Sequence, residues 1–274
     1  MRPGPPRLFA GYVIDLDGTL YLGEEPLPGA VQTLARIRQA GSRVVFLTNN
    51  PLRSAARYAA RLRSFGVQAD EREVVTPLSV LTGYLKQHHP GAAVLTVAEP
   101  LVDETLLAAG IAVTTEPTSA RVVVVSFDRT FSYAKLLRAF RAVRRHGAVL
   151  VATNPDPFCP TPDGGLPDCA AMLAAIEACT GARAEAVLGK PGPQMAAEVR
   201  DRLGVPAKEA AMVGDRLLTD VAMSRVLGMT SVLVLSGATA ASDLAGADIQ
   251  PDYVIDGIAD LLPQPQLARP QEPQ

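Results

Sequence analysis

"GYVIDLDGTLYLG", residues 11 to 23, runs an apolar stretch, Tyr12-Val13-Ile14, into two carboxylates, Asp15 and Asp17, followed by Gly18 and Thr19. A short apolar run bounded by polar residues reads as a strand buried on both faces. On an extended segment residues two apart point to the same side, so Asp15 and Asp17 share a face where the strand ends. Their repulsion is tolerable beside a divalent cation, which then becomes the largest local charge. A lone Asp-Gly pair reads equally simply as the turn that closes a strand. An EF-hand is excluded, because that loop needs further oxygen ligands and a closing Glu. What decides between cation site and turn is what else arrives at the same place.

Moving outward, further strand-like runs fall at Arg43–Leu47, Ala93–Val97, Arg121–Val125, Ala148–Ala152, Ala210–Val213 and Thr230–Leu235. Between them lie helix-like segments such as Ala30–Ala40, Ser54–Phe65 and Gln194–Leu203, the first and last stopped by Gly41 and Gly204. Strands alternating with helices predict an α/β fold, a parallel sheet with helices on both faces. The polar groups with chemical potential gather near positions 15, 48, 190 and 215, and none comes from the middle of the chain. Residues 1–78 and 183–262 are therefore expected to fold together as a core. Residues 79–182 form an inserted α/β unit, and the Pro/Gln-rich stretch 263–274 is expected to be disordered.

Bulk properties narrow the function classes. The 274 residues carry a formal net charge of −2, which offers no basic field for nucleic acid. No apolar run approaches a membrane span, and the first dozen residues lack the apolar core of a signal peptide. Cys159, Cys169 and Cys179 form no CxxC motif, and three is an odd count for a disulfide framework. A reducing, cytoplasmic setting is the expectation.

Three further motifs decide the meaning of Asp15 and Asp17. In open parallel sheets the loops at the carboxyl ends of strands converge on one crevice, and Asp15, Thr48 and Asp215 each follow a predicted strand. "FLTNNP", residues 46 to 51, offers the hydroxyl of Thr48 and the amides of Asn49 and Asn50 at a strand-to-helix junction, where an anion can bind. The same cluster could merely cap the next helix. "LGKPGPQM", residues 188 to 195, sets Lys190 before a helix, where a cation is unfavourable unless an anion relieves it. An exposed loop lysine is the plain alternative. "AAMVGDRLLTD", residues 210 to 220, brings Asp215 and Asp220 around a tight turn, able to reach one hard cation such as Mg²⁺. Asp220 alone could instead cap a helix.

In this order, DLDGT, LTNN, GKP and GDRLLTD resemble the four motifs of the haloacid dehalogenase (HAD) superfamily. "DLDGTLYLGEEPLPGA", "SFDRTFSYAKL" and "VATNPDPFCPTPDGGLPDCAAM" are similar to its class IIA branch, the NagD-like and p-nitrophenyl-phosphatase-like enzymes. The resemblance spans roughly residues 8 to 262. It implies a Rossmann-like core with an inserted C2-type α/β cap, and Mg²⁺-dependent hydrolysis of small phosphomonoesters such as sugar, glycerol or triose phosphates, or nucleoside monophosphates. Asp15 would be the nucleophile, forming an aspartyl phosphate, and Asp17 the general acid and base. The Asp15 carboxylate, the Asp17 main-chain carbonyl and Asp215 would hold Mg²⁺, with Asp220 orienting the metal's waters or Lys190. Thr48 and the backbone at Asn49 and Asn50 would hold the phosphoryl oxygens and Lys190 would neutralise them. An Asp at position 17 suits an alcohol leaving group that needs a proton.

Departures bear on the substrate. Cys159 stands where some vitamin B6-phosphate phosphatases of the branch carry a substrate-contacting His, which speaks against that substrate. Asp168 would add a carboxylate to the crevice, suiting a hydroxyl-rich or amine-bearing substrate, or else be an exposed turn residue. The resemblance also implies a homodimer through the cap, while the net charge and the lack of a long apolar run point to no nucleic-acid or membrane partner. The rival readings are an idle sensor of a phosphorylated ligand and a phosphotransferase to an acceptor other than water.

Overall fold

In the computed structural model, which describes residues 4–159 and 164–263, Asp15 closes the central strand of a six-stranded parallel sheet. That sheet runs in the order β14 (Tyr253–Ile255), β13 (Thr230–Val234), β12 (Ala210–Gly214), β1 (Gly11–Asp15), β4 (Arg43–Leu47) and β5 (Val74–Val75). A second parallel sheet has four strands, β11 (Ala184–Val187), β8 (Val149–Ala152), β7 (Val122–Val125) and β6 (Val94–Val97). Two short hairpins complete the strands, β2 (Tyr21–Leu22) with β3 (Glu25–Pro26), and β9 (Phe158–Cys159) with β10 (Leu166–Pro167). The helices are α1 (Ala30–Gln39), α2 (Ala55–Ser64), α3 (Pro77–His88), α4 (Pro100–Ala108), α5 (Tyr133–His146), α6 (Cys169–Thr180), α7 (Pro193–Leu203) and α8 (Ala222–Leu227). The expected parallel α/β architecture is present.

The strands alternate their side chains between two apolar layers, as period two requires. Tyr12, Ile14, Val44 and Phe46 pack with Leu34 and Ile37 of α1 and Leu62 of α2. Val13, Val45 and Leu47 face the other way, onto Met195 and Val199 of α7, Met223 of α8 and Leu78 and Leu81 of α3. That second layer continues into Val122, Val124 and Val151 of the smaller sheet. The opposite face of the smaller sheet is covered by α5 and α6, through Ala139, Ala142, Met172 and Ile176. Each fully buried Val, Leu or Ile contributes on the order of 1.5–3 kcal/mol, so the shared layer ties the two sheets together.

Helix ends follow local chemistry. Ser54 accepts the Arg57 N–H at the start of α2, and Thr76 with Ser79 forms a reciprocal cap on α3, with Pro77 at its first position. Asp168 caps α6, and Gly147, Gly181 and Gly204 end α5, α6 and α7 in the left-handed region. The division expected between residues 78 and 79 falls inside α3, and the one between 182 and 183 falls just before β11, which pairs with β8 in the smaller sheet. The expected disordered stretch lies outside the described residues apart from Pro263. No helix among the described residues is long and apolar enough to cross a membrane.

Candidate active site

Three neighbouring strands deliver the site. Asp15 lies level with Leu47 of β4, so Thr48 emerges one residue beyond it, while Ile14 is level with Val213 and Asp215 follows β12. These are the carboxyl ends of parallel strands, where loops converge on a common crevice. Asp15, Thr48, Lys190, Asp215 and Asp220 are all buried.

Lys190 stands at the centre of the charges. Its Nζ lies 2.5 Å from Asp15 Oδ1 and 2.7 Å from Asp220 Oδ1. Burial alone would lower its pKa, but the Asp15 and Asp220 carboxylates outweigh burial and hold the ammonium charged, above its ordinary range. Asp220, on a π-helical turn over Leu217–Val221, gives its other oxygen to the backbone N–H groups of Asp215 and Arg216, at 3.1 and 3.0 Å. Both Asp220 oxygens are thereby engaged, and its work is to fix Lys190 and the Asp215 loop. The fit is tight: a Cβ at Gly214 would lie 2.2 Å from Asp220 Cγ, and one at Gly237 would lie 2.1 Å from Asp215 Oδ2.

One carboxylate oxygen from each of Asp15, Asp215 and Asp220 lies within 4.8 Å of the others. Burial, then Asp220, pushes the Asp215 carboxyl up to about 6. Burial also raises Asp15, with Asp220 and Asp215 adding to the rise and Lys190 opposing it. Three acids share the Lys190 ammonium and the Arg216 guanidinium beside Asp215, so the acids still outnumber the cations. Asp215 Oδ2 accepts the Ala238 N–H at 2.6 Å, while its Oδ1 accepts nothing from the described residues. Nor does the Asp17 main-chain carbonyl accept a hydrogen bond from the described residues; the turn's N–H groups go to Leu16 and Tyr21. Unclaimed hard oxygens beside a charge deficit fit a divalent cation.

Asp17 stands exposed at the mouth of the crevice, its carboxylate 3.4 Å from the Tyr21 hydroxyl. Surrounding protein still raises its carboxyl by desolvation, against the pull of Arg61 and Arg53. Thr48 Oγ1 accepts the Asn50 N–H at 3.0 Å, and Asn50 Oδ1 accepts the Leu52 N–H. The Asn50 N–H is thus directed within its own loop. Asn49 turns its side chain to Lys190 and the smaller sheet.

The loop after β8 supplies groups that the sequence motifs did not single out. Asp156 Oδ2 accepts from Asn49 Nδ2 at 3.1 Å, and Asn154 Nδ2 donates to the Asn49 carbonyl at 3.2 Å. Burial raises Asp156 as well. Asp168 is 5% exposed and caps α6, so the reading of it as an exposed turn residue gives way; an Asp just ahead of "CAAMLAAIEACT" was the available signal. Burial lifts its carboxyl to about 6. Cys159, half-buried on β9, has its thiol raised by burial and by the Asp168 and Asp17 carboxylates. Arg216, half-buried beside Asp215, is held charged by Asp215 and Asp156 against the effect of burial.

Residues 12–112 match the family of haloacid dehalogenase-like hydrolases, and residues 187–261 match a HAD-hydrolase-like family. The sugar-phosphatase AraL of Bacillus subtilis is 37% identical over 253 residues, 92% of each chain. The chain belongs to the haloacid dehalogenase-like hydrolases. Within this HAD family it falls in the class IIA branch of NagD and the p-nitrophenyl phosphatases. The crystal structure of 4-nitrophenylphosphatase from Thermotoga maritima superposes with a TM-score of 0.86 at 34% identity, covering 92% of this chain and 96% of that one. Glycerol phosphate phosphatase Rv1692 of Mycobacterium tuberculosis, solved with magnesium, gives a TM-score of 0.83 at 35% identity, covering 93% of this chain and 77% of that one.

Proposed function

We propose that the chain is a Mg²⁺-dependent phosphatase of small phosphomonoesters: sugar phosphates, glycerol or triose phosphates, or nucleoside monophosphates. The observation that carries this reading is the buried Asp15 carboxylate, at the end of the central strand, in contact with Lys190 and clustered with Asp215 and Asp220. AraL and the Rv1692 enzyme are named as phosphatases of such compounds, which supports it.

In the proposed reaction an Asp15 oxygen attacks phosphorus, the bond to the ester oxygen breaks, and Asp17 gives that oxygen its proton. Asp17 then takes a proton from the water that attacks the aspartyl phosphate, and Asp15 leaves as a carboxylate. Dividing hydrolysis in this way replaces one difficult step by two easier ones. Thr48 and the Asn49 backbone orient the phosphoryl oxygens, and Lys190 offsets their charge. The Asp15 carboxylate, Asp215 Oδ1 and the Asp17 carbonyl would hold Mg²⁺, which when bound supplies the positive charge that the three acids lack.

The smaller sheet with α4 to α6 would serve as the cap, placing Cys159 and Asp168 toward the substrate's alcohol part. A homodimer would form through this unit, where Tyr133, Phe158 and Leu166 stand exposed. A cytoplasmic setting completes the proposal. The test is a panel of phosphomonoesters with Mg²⁺, run beside Asp15→Asn. Turnover that Asp15→Asn lowers by at least about 10³-fold supports the reading. Folded wild-type protein with no turnover overturns it and leaves a phospho-ligand sensor.

A further inference from the structure

Asn49 is 8% exposed, and its amide is fully committed to protein. Its Oδ1 accepts the Lys190 N–H at 2.6 Å, and its Nδ2 donates to the Lys190 carbonyl at 3.3 Å and to Asp156 Oδ2 at 3.1 Å. Both amide hydrogens are used, so the side chain has no donor left for a phosphoryl oxygen. The Lys190 peptide is gripped at both its N–H and its carbonyl, 141 positions away from Asn49 in the chain.

The other end of the grip lies on the loop after β8. Asn154 Nδ2 reaches the Asn49 carbonyl at 3.2 Å and Asp168 Oδ1 at 3.4 Å, and Asn154 Oδ1 accepts the Asp156 N–H at 2.9 Å. Gly189 makes room for the contact, since a Cβ there would lie 2.8 Å from the Asn154 Cα and Cβ and 2.9 Å from Asn49 Oδ1. The network is buried, so each member costs free energy if it loses its partner. Lys190 is where the chain returns from β11 to the large sheet, and its ammonium must meet Asp15.

We propose that Asn49 is a positioning residue that clamps the Lys190 peptide to Asp156, so that the placement of the smaller sheet sets the placement of the Lys190 ammonium on Asp15. The inference rests on the phosphatase reading. A misplacement of about 1 Å at a reacting centre can cost about 10²-fold in rate. Asn49 thus acts through Lys190, without touching substrate by its side chain.

The test uses p-nitrophenyl phosphate with Mg²⁺ and variants shown to be folded by circular dichroism. Asn49→Ala should lower kcat/KM by about 10- to 100-fold. The same change made in a Lys190→Met background should cost less than about twofold, because groups that act as a unit are non-additive. Asp156→Ala should lower kcat/KM by about 3- to 10-fold and Asp156→Asn, which keeps an oxygen for Asn49 Nδ2, should restore it. A full effect of Asn49→Ala without Lys190 overturns the inference, as does an Asp156→Asn variant as impaired as Asp156→Ala. Should an Asn49 or Lys190 variant fail to fold, the Asp156 pair decides alone. Inactive wild-type protein would instead count against the phosphatase reading.

Discussion

The Lys190 ammonium lies 2.5 Å from Asp15 Oδ1, between residues 175 positions apart in the chain. It also holds Asp220, so one cation serves two buried acids. Removing one partner of a buried ion pair costs about 3–5 kcal/mol, because the other charge stays behind unpaired. Lys190→Met should therefore weaken the fold by about that much at pH 8, read as a lower urea midpoint. The loss should shrink at pH 5, where the stranded Asp15 carboxyl, raised by burial, can take up a proton. An unchanged midpoint at pH 8 would show that the triad is not ionised as argued.

Asp17 differs from Asp15 in standing at the crevice mouth, with a carboxyl raised by desolvation. A raised value keeps the proton-bearing form available to higher pH, as a general acid requires. For alkyl phosphates the rate should fall as pH rises through that value. Asp17→Asn separates the two steps, because p-nitrophenolate departs without a proton while hydrolysis of the aspartyl phosphate lacks its base. Rapid mixing should show a burst of about one p-nitrophenolate per site, then turnover slowed by about 10²- to 10⁴-fold. A slow phase with no burst would remove Asp17 from the second step.

Much of this site could be read in the sequence, since Asp15, Thr48 and Asp215 each end an apolar run and parallel strands bring such ends together. Elements with little apolar length escaped. β5 is two residues, β14 is three, and β11, "AEAV", carries a Glu within it. Missing β11 is why the expected division fell at residue 182. Asp156 escaped because "NPD" reads as a turn and its partner Asn49 is 107 positions away. The direction of the Asn49 side chain was hidden for the same reason: local patterns carry no information about a contact that the fold creates. Asp220 was found, but its two backbone N–H bonds, which set its orientation, follow from the π-helical turn and not from spacing.

Asp215 is the acid whose Oδ1 is unclaimed by the described residues, and its carboxyl sits at about 6. A cation must displace that proton, so metal affinity should weaken as pH falls through about 6, by about tenfold per pH unit below it. Asp215→Asn removes the charge and should raise the Mg²⁺ concentration for half-maximal activity by at least about tenfold, with its pH dependence flattened. An unchanged metal titration would take Asp215 out of the ligand set. Isothermal titration with Mg²⁺ alone gives the same comparison without turnover.

Asp168 tests whether burial of the cap-side acids carries a cost to the fold. Its carboxyl is raised to about 6 from the ordinary 3.8, first by burial, with the Cys169 N–H and Asn154 opposing and Asp156 adding to the rise. The sign follows from proton binding: between those two values the folded chain keeps a proton that the unfolded chain has released. Stability must then fall as pH climbs from about 4 to about 6, and level off above. A rise of that size costs the ionised fold about 3 kcal/mol at most. Asp168→Asn cannot ionise, yet still accepts the Cys169 N–H that caps α6. It should match wild type near pH 3.5 and exceed it by about 1–3 kcal/mol at pH 7.5, measured by urea unfolding at both values. Parallel pH dependence in the two proteins would mean that Asp168 is ionised in the fold at no cost, with Asn154 and the helix end carrying its charge.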